Sequence, residues 1–272
     1  ALPYIQRFSG KTVVVKFGGN AMIDEALQNS FARDIVLMKQ IGMNPVVVHG
    51  GGPQIGALLE KLSIKSEFIN GMRVTDSATM DVVEMVLSGR VNKQVVSLLG
   101  RHGVRAIGVS GKDLGLLRAD KYYQDGTDIG FVGSIKAVDV SLFEMCAAHG
   151  VIPVVSPISY GDDGATYNVN ADHAALEVAR ALTCEDLVFI SDVPGIYRDD
   201  GSTIPHLTPS LMYQLIDSGE ITGGMIPKVQ SAVKCVQQGV HRARIIAWHG
   251  PGTLTNELAS PESIYGTVVT TE

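Results

Sequence analysis

Short apolar runs alternate along the chain with longer stretches of helical periodicity. The runs 13–15 and 46–48 consist of valine alone, which is typical of strands covered on both faces of a parallel sheet. The predicted strands are 12–17, 45–49, 106–110, 152–156, 187–191 and 244–248. The predicted helices are 26–41, 53–62, 77–87, 142–150, 171–182 and 227–239. This order predicts an α/β fold, with an open, doubly wound, mainly parallel sheet that carries helices on both faces.

The stretch 122–164 departs from this alternation. Residues 128–135 predict a short hairpin pair, and the Gly/Asp-rich residues 160–166 predict a turn beside it. The sequence has no internal repeat and no Pro/Ser-rich linker. We therefore expect a single domain over 1–272, with an N-terminal lobe over about 1–180 and a C-terminal lobe over about 181–272.

Composition and charge narrow the class of protein. Of the 272 residues, 45% are hydrophobic and 18% are charged, which excludes an intrinsically disordered chain. The formal charge of −6 disfavours nucleic-acid binding. Three widely separated cysteines disfavour both a disulfide scaffold and a cysteine metal site. No apolar run approaches the roughly 18 residues that span a bilayer, so we expect a cytoplasmic protein.

Two glycine motifs follow predicted strands, and ligands of open α/β sheets bind at the carboxyl ends of the strands. Lys16, Gly18 and Gly19 combine a cation with backbone N–H groups that a phosphate can approach. Three glycines at 50–52 precede a predicted helix, whose N-terminus favours an anion. Each motif is also compatible with an ordinary turn, and Lys16 with an ordinary surface lysine.

Three better-known motifs are excluded. Glycines 50, 52 and 56 only approximate the dinucleotide-binding fingerprint, and no clear acidic residue closes a following strand. The sequence HGGG also occurs in esterase oxyanion loops, but no GxSxG sequence is present to supply the nucleophile. The residues GKT at 10–12 lack the earlier glycine of a Walker-type loop.

Polar residues cluster in two further segments. Arg73 follows a glycine turn and precedes a helix, so it either clamps a carboxylate bidentately or is an exposed loop arginine. Asn168, Asn170 and Asp172 alternate just before an alanine-rich helix. A helix cap accounts for one of them, whereas all three together suit a polar site. Asp172 is suited to hold two ammonium groups or to reach Mg²⁺ on nucleotide phosphates.

A second lysine, Lys228, follows paired glycines at 223–224, so it again combines a cation with a nearby glycine pair, as Lys16 does. A strand-end turn at 191–197 is suited to face a nucleotide. Two lysines, several glycine-lined anion sites, a carboxylate and an arginine suit phosphoryl transfer, in which positioning and cationic stabilisation do most of the work. A carboxylate acceptor would need no general base.

These motifs together resemble the amino acid kinase family. The resemblance covers essentially the whole chain through VKFGGNAM at 15–22, VVHGGGPQI at 47–55, NGMRVTD at 70–76, VNKQVV at 91–96, DIGFVGSI at 128–135, YNVNAD at 167–172, SDVPGIY at 191–197 and ITGGMIPK at 221–228. It implies a three-layer αβα sandwich in which the N-terminal lobe binds an acyl amino acid and carries the oligomer interface, and the C-terminal lobe binds ATP with Mg²⁺. The implied reaction phosphorylates the γ-carboxylate of N-acetyl-L-glutamate, a step of arginine biosynthesis.

The resemblance also implies a role for each matching position. Lys16 and Lys228 match lysines that stabilise the transferred phosphoryl group, and Asp172 matches the aspartate that orients them. Substrate contacts are expected at Gly51, Gly52, Arg73, Asn168 and Asn170. Nucleotide contacts are expected at Gly18, Gly19, Ser191, Asp192, Val193, Pro194, Gly195, Ile196, Glu220, Ile221 and Thr222. No residue is expected to act as a dedicated metal ligand.

Two regions bear on assembly and regulation. Residues 1–8 resemble the end of an N-terminal helix through which arginine-inhibited members form hexamers, so we expect a homodimer or a hexamer. The region 248–266 departs from those members, because Gly252 replaces their usual histidine and the loop 260–266 is one residue longer. Glu257 and Glu262 are retained, so arginine remains a candidate inhibitor.

Two alternatives stay open. The acceptor is either N-acetyl-L-glutamate or a homologue one methylene longer, such as N-acetyl-aminoadipate, because a methylene allows only about 1–3 kcal/mol of discrimination. The other alternative is a non-catalytic ligand sensor on the same fold, which all the retained charged residues disfavour.

Overall fold

The computed structural model describes residues 6–198, 200–222 and 225–271, with Asn20, Pro227 and Lys228 described by backbone alone. Its strands are β1 Thr12–Phe17, β2 Asn44–His49, β3 Phe68–Ile69, β4 Met72–Arg73, β5 Ala106–Ser110, β6 Leu117–Gln124, β7 Thr127–Val138, β8 Ile152–Ser156, β9 Ile158–Tyr160, β10 Thr166–Val169, β11 Asp186–Ser191, β12 His206–Leu207, β13 Arg242–Ala247 and β14 Gly266–Val269. Its α-helices are α1 Glu25–Gln40, α2 Gly52–Lys61, α3 Ser77–Glu84, α4 Asn92–Arg101, α5 Ser141–Ala148, α6 Ala171–Ala181, α7 Pro209–Asp217, α8 Met225–Gln237 and α9 Thr253–Ala259. A π-helical turn, Met85–Val91, joins α3 to α4.

The chain divides into two units. Unit 1 combines the residues up to Pro45 with those from Leu182 onward, and unit 2 comprises Val46–Ala181. The division near 181 lies where the sequence predicts a lobe boundary, but residues before 46 group with the C-terminal residues. The reason is strand pairing, because β1 pairs in parallel with β11.

Unit 1 is built on a mainly parallel sheet with the order β12-β14-β13-β11-β1. The pairs β1/β11, β11/β13 and β12/β14 are parallel, and β13/β14 is antiparallel. The valines of β1 are fully buried, as expected for a strand covered on both faces. Parallel pairing brings the carboxyl ends of β1 and β11 to the same edge of the sheet.

Unit 2 contains a parallel sheet, β2-β8-β5, and a closed four-stranded arrangement of β10, β7, β6 and β9. The hairpin predicted over 128–135 is wrong, because these residues belong to one continuous strand, β7, which pairs with β6. The hairpin turn lies just before it at Asp125 and Gly126, which both have positive φ. The turn predicted at 160–166 is confirmed by the antiparallel β9/β10 pair.

Most predicted elements match to within about two residues, and three helices were not predicted: α4, α7 and α9. Helix 77–87 ends earlier, at Glu84, where the π-helical turn begins. Residues 6–8 are helical, and the preceding residues of the expected N-terminal helix lie outside the described part of the chain.

None of the helices in the described residues combines the length and apolar character that a lipid bilayer requires. Cys146, Cys184 and Cys235 are buried thiols. The α/β fold class with a mainly parallel central sheet is confirmed.

Candidate active site

The end of β1 places Lys16 against the two glycines that follow it. A Cβ atom on Gly18 would lie 2.6 Å from Lys16 Nζ, so the ammonium group folds back over this glycine. Gly19 has a φ of +66°, and a Cβ there would lie 2.5 Å from Asp192 Oδ1. The structure therefore brings Lys16, Gly18, Gly19 and Asp192 together. The positive φ favours glycine at Gly19, whereas the atom nearest Gly18 is the end of a flexible lysine side chain, which can shift.

The predicted nucleotide segment 191–196 follows β11. Ser191 Oγ accepts a hydrogen bond from Val193 N at 3.4 Å, and Pro194 is exposed. Gly195 has a φ of +137° and backs onto Gly266, where a Cβ would lie 2.9 Å from backbone carbon. Ile196 is buried, and its N–H donates to Thr267 Oγ1 at 2.8 Å. The segment is thus anchored at its end by β14 and exposed at its centre.

The second predicted nucleotide segment, 220–222, lies before α8. Glu220 accepts hydrogen bonds from Arg198 Nε at 3.0 Å and from Ser218 Oγ at 3.1 Å. Ile221 is buried, and the Thr222 carbonyl accepts from Met225 N at the start of the helix. The backbone of Lys228 belongs to the first turn of α8, but its side chain lies outside the described residues, as do Gly223 and Gly224.

The glycines at 50–52 form the start of α2 in unit 2. Gly51 is buried, and a Cβ there would lie 2.5 Å from Leu87 Cδ2 of the π-helical turn. The first intrahelical bond runs from Ile55 N to Gly51 O. The amides of Gly52 and Gln54 precede this bond at the helix N-terminus, where backbone N–H groups favour an anion.

His49 holds this loop and was not assigned a role from the sequence. The side chain is fully buried, and burial lowers the pKa of its imidazole to about 4. His49 Nδ1 lies 2.8 Å from the Gly50 carbonyl, so Nδ1 carries the proton and donates. Nε2 then accepts from Asn92 Nδ2 at 3.2 Å. A neutral histidine at the end of β2 therefore fixes the backbone that leads into the glycines.

Arg73 lies beside the same helix start. Its Nη2 donates to the Gly52 carbonyl at 3.2 Å, and its Nη1 donates to Ser66 Oγ. Its Cζ lies 4.6 Å from the centroid of the Phe68 ring. Burial lowers the pKa of the guanidinium from its ordinary value, which is far enough above neutrality for the charge to persist.

Asn168 joins this cluster through Thr75. Asn168 Nδ2 donates to Thr75 Oγ1 at 3.3 Å, and Thr75 Oγ1 donates to the Arg73 carbonyl at 2.8 Å. The structure therefore brings together three of the predicted substrate residues, Gly52, Arg73 and Asn168. They form an arrangement with a guanidinium, a side-chain amide and a helix N-terminus.

Asn170 is the cap of α6. Its Oδ1 accepts from Asp172 N at 2.8 Å and from His173 N at 3.2 Å. Asp172 is exposed in the first helical turn. His173 Nε2 accepts from Ile135 N at 3.2 Å, which ties this turn to β7. Of the three alternating polar residues, Asn170 is therefore the one that caps the helix.

The retained Glu257 is not available as a direct arginine ligand. Its carboxylate is fully buried and accepts from Arg244 Nη1 at 2.8 Å, Ile264 N at 2.9 Å and Tyr265 N at 3.0 Å. Glu262 is exposed. Gly252 has a φ of +84°, which favours glycine over histidine at this position.

Comparison with known proteins places these observations in a family. The model of the amino acid kinase family matches residues 11–247. The chain belongs to the amino acid kinase family. It is 52% identical over 282 residues to the acetylglutamate kinase of Saccharophagus degradans, covering 100% of this chain and 94% of the relative. It is 53% identical over 255 residues to the acetylglutamate kinase of Geotalea uraniireducens, covering 90% of this chain and 87% of the relative.

Solved structures of other proteins share the fold of this kinase-family chain. N-acetylglutamate synthase from Neisseria gonorrhoeae, in complex with coenzyme A and N-acetyl-glutamate, has a TM-score of 0.86 and 26% identity. All of this chain is covered in that match, but it spans only 62% of the synthase chain. Carbamate kinase from Giardia lamblia has a TM-score of 0.69 and 16% identity, covering 97% and 99%, which supports the fold alone.

Proposed function

We propose that this chain transfers the γ-phosphoryl group of MgATP to the γ-carboxylate of N-acetyl-L-glutamate, as an enzyme of arginine biosynthesis. The products are ADP and the acyl phosphate. The observation that most supports this proposal is the cluster of Gly52, Arg73 and Asn168 near the start of α2. It occurs in a chain that shares 52% sequence identity with an acetylglutamate kinase. The proposal includes a cytoplasmic location.

The geometry of unit 2 supports recognition of a dicarboxylate. Such an acid needs two anion sites, and unit 2 offers the N–H groups at Gly51 and Gly52 and the guanidinium of Arg73. Two donors of Arg73 are engaged by Ser66 Oγ and the Gly52 carbonyl, so three of its five N–H groups remain for a carboxylate. We assign the α-carboxylate to Arg73 and Asn168.

Unit 1 supplies groups suited to the phosphoryl group. Lys16 folds over Gly18, which places its ammonium group beside the backbone of the glycine pair. Such preorganised donors stabilise the charge that spreads over the transferred group. Lys228 and Asp172 keep the roles that family membership suggests for them, as a second cation and as the group that orients both.

Magnesium is proposed to enter with the nucleotide. The described residues contain no group of three or more His, Cys, Asp or Glu side chains arranged to hold a metal ion. ATP phosphates, by contrast, supply oxygen ligands of the type that Mg²⁺ prefers. The exposed carboxylates of Asp172 and Asp192 are the side chains assigned to approach that complex.

The test is a coupled assay of ADP release with N-acetyl-L-glutamate and MgATP. We expect turnover that depends on both compounds, and a higher kcat/KM for this acid than for N-acetyl-aminoadipate. A higher kcat/KM for the longer acid would identify N-acetyl-aminoadipate, and not N-acetyl-L-glutamate, as the substrate. Tight ATP binding without turnover of either acid would refute the kinase activity and favour a non-catalytic ligand sensor.

Assembly and feedback are further parts of the proposal. We propose a homo-oligomer, dimer or hexamer, to be measured by light scattering after size-exclusion chromatography. Arginine inhibition is tested by calorimetry, and absence of arginine binding would remove it. Glu257 is excluded as a direct ligand there, because Arg244 and two backbone amides already engage it.

A further inference from the structure

Three groups hold the guanidinium of Arg73 from different directions. The Ser66 hydroxyl accepts from Nη1, the Gly52 carbonyl accepts from Nη2, and the Phe68 ring lies under Cζ at 4.6 Å. The Gly52 carbonyl belongs to the anion-binding helix start. Ser66 and Phe68 belong instead to the segment that enters the small hairpin.

The hairpin itself is built to keep Phe68 opposite Arg73. The two residues are direct partners in the β3/β4 pair. The connecting turn has positive φ at both Asn70 and Gly71, as a type I′ hairpin turn requires. Asn70 Nδ2 also donates to Asp125 Oδ2 at 3.1 Å, which attaches the tip of this hairpin to the turn between β6 and β7.

Phe68 is unusual for an aromatic side chain because 58% of it is exposed. A two-residue strand offers it little apolar surface to pack against, and its described ring contact is with the guanidinium. Cations attract the faces of aromatic rings, and stacking leaves the edge of the guanidinium free for hydrogen bonds. This is the edge that a carboxylate would need.

We propose that Phe68 and Ser66 are positioning residues that hold Arg73 ready for a carboxylate of the acid substrate. An arginine already fixed in this orientation loses less conformational freedom when the ligand binds. Their removal should therefore weaken binding of the acid, while kcat and the KM for MgATP stay close to the wild-type values. The inference rests on the proposed function, in which Arg73 binds the acid.

The experiment compares steady-state kinetics of single variants under saturating MgATP. We expect Phe68→Leu to raise the KM for N-acetyl-L-glutamate about two- to fivefold, and Ser66→Ala to raise it about two- to tenfold. Phe68→Tyr and Ser66→Thr keep the ring and the hydroxyl and should restore most of the affinity. Tyr213→Leu is the matched control, because Tyr213 on α7 is 57% exposed and lies in unit 1.

A double-mutant cycle separates positioning from direct contact. If Phe68 acts through Arg73, Phe68→Leu has no further effect on the KM once Arg73→Ala is present. A full effect in that background would mean that Phe68 touches the acid, and an unchanged KM in both single variants would overturn the proposal. In either case an active wild type shows that the proposed function stands. A wild type that neither binds nor turns over the acid would instead refute that function and this inference with it.

Discussion

The buried imidazole of His49 makes the stability of the protein depend on pH. Burial lowers its pKa to about 4, and the nearby charge of Lys93 acts in the same direction. In the unfolded chain the imidazole binds a proton below about pH 6.5. The folded protein keeps it neutral, donating to the Gly50 carbonyl and accepting from Asn92. His49 therefore favours the folded state fully above about pH 6.5, and this contribution is lost as the pH falls toward about 4.

The size of the effect follows from the two pKa values. Between about pH 7.5 and about pH 5, proton binding to His49 in the unfolded state alone should remove about 2 kcal/mol from the free energy of unfolding. Other carboxylates and histidines contribute to the total pH dependence. The useful quantity is therefore the difference between the wild type and a His49→Gln variant, measured at both pH values, in which the shared contributions cancel.

The assay is urea denaturation followed by circular dichroism. Circular dichroism follows the whole chain, whereas the single tryptophan, Trp248, lies in unit 1 and His49 lies in unit 2. We expect the stability gap between wild type and His49→Gln to shrink by about 2 kcal/mol at the lower pH. The control variant His149→Gln removes an exposed histidine of unit 2, and its difference in free energy of unfolding from the wild type should be the same at both pH values. A His49→Gln gap that is equal at both pH values would refute a neutral, buried imidazole.

Three further predictions concern charge and packing. Lys16→Ala should lower kcat about 10²–10³-fold in the coupled assay, whereas Lys11→Ala, an exposed lysine before the same strand, should not. Gly51→Ala should lower the free energy of unfolding by about 1–3 kcal/mol because its methyl group meets a packed leucine. Gly52→Ala meets nothing within 4 Å and should be much milder in the same circular dichroism assay. Glu257→Gln should lower the free energy of unfolding, followed by tryptophan fluorescence, by about 3 kcal/mol, because it leaves the buried guanidinium of Arg244 without that charged partner. A change below about 0.5 kcal/mol would contradict the buried pair.

The strands of the parallel sheets could be predicted because they are continuous apolar runs. β1, β5 and β8 match their predicted bounds to the residue. The error at 128–135 came from reading the glycines of β7 as turn residues. Gly130 is instead a glycine because a Cβ would overlap the Thr75 carbonyl, and a Cβ on Gly133 would lie 2.7 Å from Tyr167 Cβ. Glycine inside a strand marks such close approaches as readily as turns. The stronger turn signal was Asp125-Gly126.

In the candidate site, features formed by neighbouring residues could be predicted from the sequence, whereas contacts between residues far apart in the sequence could not. The glycine loops and their lysine or helix start are contiguous in sequence, so Lys16 with Gly18, and Gly51 with Gly52, could be predicted. The contacts that hold Arg73 run to Gly52, 21 residues away, and only folding brings them together.

Glu257 illustrates why a retained residue type does not define its role. From the sequence it matched an acidic position of arginine-inhibited relatives. In the fold, the partner that neutralises it, Arg244, is equally buried and also donates to Asp186 Oδ1 at 2.9 Å. A carboxylate already engaged by a buried guanidinium and two backbone amides has little capacity left for a ligand, and withdrawing it would expose Arg244 to the desolvation cost of an incompletely paired charge. Any arginine response must therefore depend on other groups, such as the exposed Glu262, with Glu257 acting to hold the loop 260–265 in place.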